Sequence, residues 1–216
     1  MFVLVGAGGA TAGPVVGKLE LPAAPERAPV VAKGFLDRVE NPLAPARPVS
    51  VTPYIVVALE GNEKSAAPGQ VTWELVGESF ARPVIGAPAG AEIVIKNTSK
   101  VARTLVAAED KNLVPAGPIN PTGPKSFRVP NPAVFTIGDA DAPHLQGKIV
   151  VTASPFVASV DDAGRFEFAD VPEGSYKLRV FYKDAWIDAA TTDVVVEKKG
   201  KTEVTAKVPA FGTGKK

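Results

Sequence analysis

The sequence predicts an all-β fold, built as β-sandwich, and three observations predict it. Apolar and polar residues alternate along short runs. Gly and Pro, 20 and 21 of the 216 residues, fall between those runs. Helical periodicity is confined to one short stretch. Alternation with period two puts one face of a pleated strand in a core and the other in water. Gly and Pro at the breaks read as turns rather than as disorder. Many short strands at this spacing are the pattern of a sandwich.

Taken in order, "VVGKLELP" sets Leu19 and Leu21 on one face, opposite Lys18 and Glu20. "YIVVALEG" aligns Ile55, Val57 and Leu59, and "AEIVIKNTS" aligns Ile93 and Ile95. "GKIVVTAS" aligns Ile149 with Val151, and "GRFEFADV" pairs Phe166 with Phe168. "SYKLRVFYK" sets Tyr176, Leu178, Val180 and Tyr182 against Lys177, Arg179 and Lys183. "TEVTAKVPAF" aligns Val204, Ala206 and Val208. Turn signals separate the runs: Pro68-Gly69, Pro88-Ala89-Gly90, Pro121-Thr122-Gly123, Asp161 to Gly164, Glu173-Gly174 and Lys198 to Gly200. Gly200 suits a positive φ there. Only "VAKGFLDRVENPL" carries a helical hint, with Val31, Phe35 and Val39 four apart, interrupted by Gly34 and stopped by Pro42. The Pro/Ala-rich segment 22–50 around it is expected to run extended, because each proline removes a ladder donor.

Composition narrows the function classes. Lys plus Arg is 24 and Asp plus Glu is 23, a net charge of +1, so nothing points to nucleic acid or a charged membrane surface. There is no cysteine, which rules out disulfides and thiolate metal sites. No stretch approaches the ~20 apolar residues of a membrane span. "MFVLVGAGGATAG" runs apolar, then small, and Ala10-Thr11-Ala12 fits the pattern a signal peptidase cuts after. Residues 1–12 are therefore expected to be the remnant of an export signal; a frayed N-terminal strand is the competing reading. The serines carry no nucleophile motif, and one histidine leaves few proton-transfer groups, so no catalytic residue is expected. "GAGGATAG" lacks the helix and the downstream acid of a dinucleotide fingerprint.

Two stretches resemble known families. "ASVDDAGRFEFADVPEGSYKLRVFY" resembles the carboxypeptidase-regulatory-like, or transthyretin-like, β-sandwich, whose pattern is T-D-x-x-G-x-F-x-F-x-x-[LV]-P-x-G-x-Y-x-L-x-V. Asp161, Gly164, Phe166, Phe168, Val171, Pro172, Gly174, Tyr176, Leu178 and Val180 match it, and Val160 stands where the family has threonine. On this reading Asp-x-x-Gly closes one hairpin, Pro-x-Gly closes the next, and the aromatics fill the core. The family's first strands resemble "VVGKLELP" and "YIVVALEG", before residue 62.

The intervening piece resembles a cupredoxin. "FARPVIGAPAGAEIVIKNTSKVARTLVAAED" is similar to the strand ending in Asn that leads to the first copper-binding histidine. "FRVPNPAVFTIGDADAPHLQGKIVV" is similar to the stretch leading into C-x-x-H-P-x-M-x-G-x-I-x-V. Aligned on Pro143 and the Gly147-x-Ile149 strand, the family's cysteine falls on Asp139, its histidine on Ala142 and its methionine on Leu145. The first histidine falls near Arg103. A blue-copper site needs two imidazoles and a thiolate, so the resemblance implies a frame without its ligands. His144, the one histidine, is read as a loop residue rather than a ligand. Asp139 and Asp141 are too few for calcium, which takes about six to eight oxygens.

The expected organisation is two β-sandwich lobes. A discontinuous transthyretin-like, carboxypeptidase-regulatory-like domain takes 13–62 plus 154–212. An inserted cupredoxin-like Greek-key domain without a copper site takes 66–153. Similar pairings occur among exported bacterial proteins, which implies a periplasmic or extracellular location. The expected role is non-catalytic: a structural or protein-interaction module of the cell envelope, with no cofactor and no metal. The alternative is a carbohydrate-binding module, with Phe181, Tyr182 and Trp186 as an aromatic platform for ligand or partner. The competing reading has Trp73 and Tyr182 in the core, while Phe181 and Trp186 cap the sandwich or pack between the domains.

Overall fold

The computed structural model describes residues 12–22, 50–61, 69–198 and 200–209. Nearly all of the export-signal reading, the short helix expected at Val31–Val39 and the tail from residue 210 lie outside them. Among the described residues the structure is strands and turns, with three-residue 3-10 turns at Thr52–Tyr54 and Asp188–Ala190. No described helix is long and apolar enough to cross a membrane.

Four sheets form. The first holds β1 (Ala12–Glu20) between β12 (Arg165–Pro172) and β16 (Thr202–Lys207). The second runs β11 (Phe156–Ser159), β2 (Ile55–Glu60), β13 (Gly174–Tyr182) and β14 (Ala185–Trp186), with β15 (Thr192–Val196) also on β13. The third runs β5 (Val84–Pro88), β10 (Gln146–Thr152), β9 (Val134–Asp139) and β7 (Leu105–Ala107). The fourth runs β4 (Ser79–Phe80), β3 (Gln70–Val76), β6 (Glu92–Asn97) and β8 (Pro124–Arg128). Strands β3 and β6 pair in parallel, as do β5 and β10, so both sheets of the 69–153 region are mixed.

The alternation read from the sequence aims side chains into two separate cores. Val15, Leu19, Phe166 and Phe168 of the first sheet meet Ile55, Val57, Leu59, Leu178 and Val180 of the second. Trp73, Leu75, Ile93 and Ile95 of the fourth sheet meet Ile137, Ile149 and Val151 of the third. A third, smaller cluster joins the two sandwiches: Val56 and Phe181 pack against Val84 and Val150, with Tyr54, Val157 and Trp186 at its margin. The second and third sheets therefore lie back to back.

That contact explains where simple alternation fails. Ile55 through Leu59 are all 0% exposed, both parities alike. Val150 is as buried as its neighbours Ile149 and Val151. A strand covered on both faces reads as a continuous apolar run rather than as alternation. Gly86 on β5 makes the approach possible, because a Cβ there would lie 2.2 Å from Cγ1 of Val157 and 2.6 Å from Cγ1 of Val56. Arg82 clamps the lobes from beside it. Its Nη2 donates to the carbonyls of Val160 (2.7 Å) and Thr52 (3.2 Å), while its own carbonyl accepts the Trp73 indole N–H at 2.8 Å.

The excursion from one sandwich to the other starts and ends at one place. Leu59 of β2 is the cross-strand partner of Phe156 of β11, and Ser154 Oγ donates to the Leu59 carbonyl. Ends this close let a second fold be carried between neighbouring strands with little disturbance.

The two expected hairpins are a point of correction. Strand β11 pairs with β2, whereas β12 pairs with β1 and β13 with β2. The Asp161–Gly164 turn and the Pro172–Gly174 turn each carry the chain across from one sheet to the other. They are sandwich corners, because Phe166 and Phe168 must face Leu178 and Val180 rather than lie beside them. Asp161 holds the first corner: Oδ1 accepts the N–H groups of Ala163 (2.9 Å) and Arg165 (2.7 Å), and Oδ2 accepts Arg165 Nε (2.9 Å). Gly164 has φ 79°, and a Cβ on it would lie 2.8 Å from the Leu19 carbonyl oxygen. Tyr176 Oη holds the second by donating to the Pro172 carbonyl at 2.9 Å.

The Arg165 backbone N–H, helped by the Arg165 side chain and the Ala163 N–H, holds the Asp161 carboxyl below the ordinary aspartate range. A lowered folded value means the corner's stabilisation is complete above the unfolded-chain pKa. It fades as the pH falls through the folded value. A carboxyl-carbon NMR titration is expected to place Asp161 below exposed aspartates; a midpoint at or above theirs contradicts the corner described here.

Candidate functional site

Two places draw together the side chains that bear on function. The first is the end of the middle sandwich where the cupredoxin ligands would fall. Asn97, at the end of β6 and 0% exposed, organises the loop that carries Arg103. Its Nδ2 donates to the carbonyls of Val101 (2.8 Å) and Ile119 (2.9 Å), and its Oδ1 accepts from Ser99 N (3.0 Å) and Ser99 Oγ (2.6 Å). Arg103 is fixed in turn by a backbone exchange with Ile119, at 3.1 and 2.8 Å. The facing loop closes when Asp139 N–H donates to the Leu145 carbonyl (3.1 Å) and Leu145 N–H to the Ala142 carbonyl (2.9 Å). Asp139 Oδ1 accepts the Asp141 N–H at 2.9 Å.

These loops bring Arg103 and Asp139 together. Arg103 Nη1 lies 3.5 Å from Asp139 Oδ2, with side chains 9% and 1% exposed. Beyond hydrogen-bond reach of a good donor, Asp139 Oδ2 has no such partner, and neither does Arg103 Nε. Arg103 Nη2 reaches outward to the Gly77 carbonyl (3.5 Å) and toward Glu78 Oε1 (4.0 Å). Glu78 Oε2 lies 3.7 Å from His144 Nε2, both side chains well exposed. Ala142 and Leu145 are buried in the core of the sandwich.

A copper ion does not fit this donor set. The four places hold a guanidinium, a carboxylate, a methyl group and an isobutyl group, and the guanidinium would repel a cation. His144 points to the rim, beside Glu78, rather than to Asp139. Among the described residues no three His, Asp or Glu side chains converge as a metal site requires.

The second place is a cleft of about 540 Å³ between the lobes. Glu60, Gly61, Ser154, Arg179 and Trp186 wall it from the outer sandwich, and residues 132–134 and 151–153 from the middle one. Arg179 Nη1 lies 3.1 and 3.4 Å from the two Glu60 oxygens, and its Nη2 lies 3.8 Å from Asp188. The guanidinium also sits 4.6 Å above the Trp186 ring. Phe181 meets the same indole edge-on, centroids 5.4 Å apart. At the opposite mouth of the junction Lys183 Nζ lies 5.5 Å from the Tyr54 ring and 5.3 Å from the Tyr182 ring, and Lys148 pairs with Asp184.

The expected platform of Phe181, Tyr182 and Trp186 does not assemble. Phe181 is 1% exposed and belongs to the cluster between the lobes, while Tyr182 packs, partly buried, on the core of the outer sandwich. Successive strand residues point to opposite faces, so Phe181 and Tyr182 have no common surface. Trp186 alone of the three lines the cleft. Sequence reasoning missed Glu60, Arg82 and Arg179. The only available signal was parity: Arg179 shares a strand face with Phe181.

Comparisons with known proteins give partial matches. A protein-family profile described as polysaccharide lyase family 4, domain II, matches residues 128–204, less than half of the chain. That stretch includes every cleft-lining residue except Glu60 and Gly61. A search of curated proteins found no match. Among solved structures, a reduced amicyanin mutant matches 44% of this chain and 98% of its own, at 12% identity and TM-score 0.36. A purple cupredoxin from Nitrosopumilus maritimus matches 38% and 98%, at 13% identity and TM-score 0.34. A mutant plastocyanin of fern matches 38% and 100%, at 13% identity and TM-score 0.33. The described chain is an all-β protein of two packed sandwiches.

Proposed function

We propose that the chain is a non-catalytic binding module of the cell envelope, exported and working without a metal. Its two joined sandwiches offer one stiff surface to a protein partner or an envelope assembly. The observation that carries this reading is the Arg103–Asp139 ion pair, a guanidinium and a carboxylate standing where a blue-copper site needs imidazole and thiolate. The fold is kept and the chemistry is not, so the frame itself is the useful part. The outer sandwich is read as a carboxypeptidase-regulatory-like unit on the Asp161-to-Val180 pattern, in keeping with a profile named for one domain of a lyase rather than for the whole enzyme.

The test has two arms. Purified chain is incubated with acidic and neutral polysaccharides and followed for unsaturated uronate absorbance and new reducing ends; no product is expected. In parallel, cross-linking in native envelope followed by mass spectrometry is expected to join the chain to a discrete protein. Turnover in the first arm with no cross-linked protein in the second overturns the reading.

A second reading, a carbohydrate-binding module, is favoured by Trp186 in the cleft. Aromatic surface beside charged hydrogen-bonding groups is the usual make-up of a small-molecule site.

A further inference from the structure

We propose that the cleft between the two sandwiches binds a neutral oligosaccharide, with Trp186 as its apolar wall and the Arg179–Glu60 pair as its polar reader. The proposal rests on the second reading above and gives it a site and a ligand class.

The shape suits a ligand rather than a flat partner. The cleft's volume of about 540 Å³ lies within the usual ligand-pocket range of about 300–1,000 Å³. Its walls come from both lobes, so it exists only because the second and third sheets pack back to back.

Trp186 is held in orientation from below. Phe181 sits in the cluster between the lobes and meets the indole at an interplanar angle of 79°. The other tryptophan, Trp73, is internal: it is 2% exposed, stacks on Phe80 and donates to the Arg82 carbonyl. One indole is spent on the core, and the other contributes part of its surface to a concave wall.

The polar pair sets the ligand class. Arg179 and Glu60 lie on the adjacent strands β13 and β2, with side chains 29% and 41% exposed. Guanidinium donates in a planar fork and carboxylate only accepts. Side by side they match two neighbouring hydroxyls, one accepting from Arg179 and one donating to Glu60. With Asp188 also at 3.8 Å, one cation stands among two carboxylates. That balance disfavours a uronate or a phosphate and favours an uncharged sugar.

The experiment uses the full chain in native gels cast with a neutral galactomannan, a neutral xyloglucan or polygalacturonate, together with a fluorescence titration. With Trp73 enclosed, a change in emission reports Trp186. Retardation by a neutral polysaccharide and a blue shift are expected. Trp186→Ala is expected to weaken retardation about tenfold or more, and Glu60→Gln, which keeps the shape of the side chain, about tenfold. Thermal unfolding controls for folding, and Glu60→Gln keeps the test valid if Trp186→Ala loosens the junction. Retardation unchanged in both variants overturns the site but leaves the carbohydrate reading standing. Retardation by polygalacturonate alone overturns the neutral class. No retardation in any gel overturns both the site and that reading.

Discussion

Replacing Arg103 with methionine is expected to cost about 3–5 kcal/mol of stability, the usual penalty for leaving a buried charge without its partner. The physical reason is Asp139, whose side chain is 1% exposed and whose Oδ2 has no hydrogen-bond donor in reach. Arg103 is the only cationic group recorded against it among the described residues. Methionine keeps an unbranched apolar stem but is shorter than arginine, so the charge is removed while part of the packing is kept. The variant Arg103→Met with Asp139→Asn is expected to regain most of it, because asparagine still accepts the Asp141 N–H and leaves no charge behind. Replacing buried ion pairs by uncharged residues is often neutral or better. Urea unfolding of the three proteins reads both steps. A single-variant loss below about 1 kcal/mol is the signature of a solvated pair and would remove the argument that the ligand places are filled by a buried ion pair.

Gly86→Val is the second large effect. The substituted Cβ falls 2.2 Å from one valine methyl and 2.6 Å from another, both on the opposing sandwich. Val56 is 0% exposed and has no room to withdraw, and Val157 is partly buried against the same cluster. The sheets must separate, at about 1–3 kcal/mol or more for overpacking. Each sandwich has its own core, so both are expected to stay folded while the junction opens. Unfolding is then expected to split into two transitions. Trp186 emission is expected to shift to the red, since its ring borders the junction, while enclosed Trp73 contributes no change. A single transition at unchanged midpoint with unaltered emission would mean that the lobes do not bear on each other at Gly86.

The two predictions act on features that differ in how far the sequence disclosed them. The resemblance of frame aligned Asp139 with one ligand place and set another near Arg103. It did not disclose their pairing, because they stand 36 positions apart and meet only after two loops close. Gly86 gave no sign of its role. It lies in "VIGAP" within β5, and only the chain 30 residues earlier and 71 later makes a side chain there impossible.

The strand pattern itself was decided locally. Tyr176, Leu178 and Val180 face a core because period two leaves them no other choice once one face is dry. The corners at Asp161 and Pro172 were legible as turns because Gly164 takes a left-handed φ and Asp161 holds nearby N–H groups. Which strands those corners join was not legible, since sheet partners are far apart in sequence. The same limit governs the cleft. The parity of β13 put Arg179 and Phe181 on one face, and polar neighbours made that face look solvent-exposed. Packing of a second sandwich turned it into an interface, burying Phe181 and leaving Arg179, Glu60 and Trp186 along one mouth. Local backbone geometry determines which side a residue points to; only contact between distant sheets determines what it finds there.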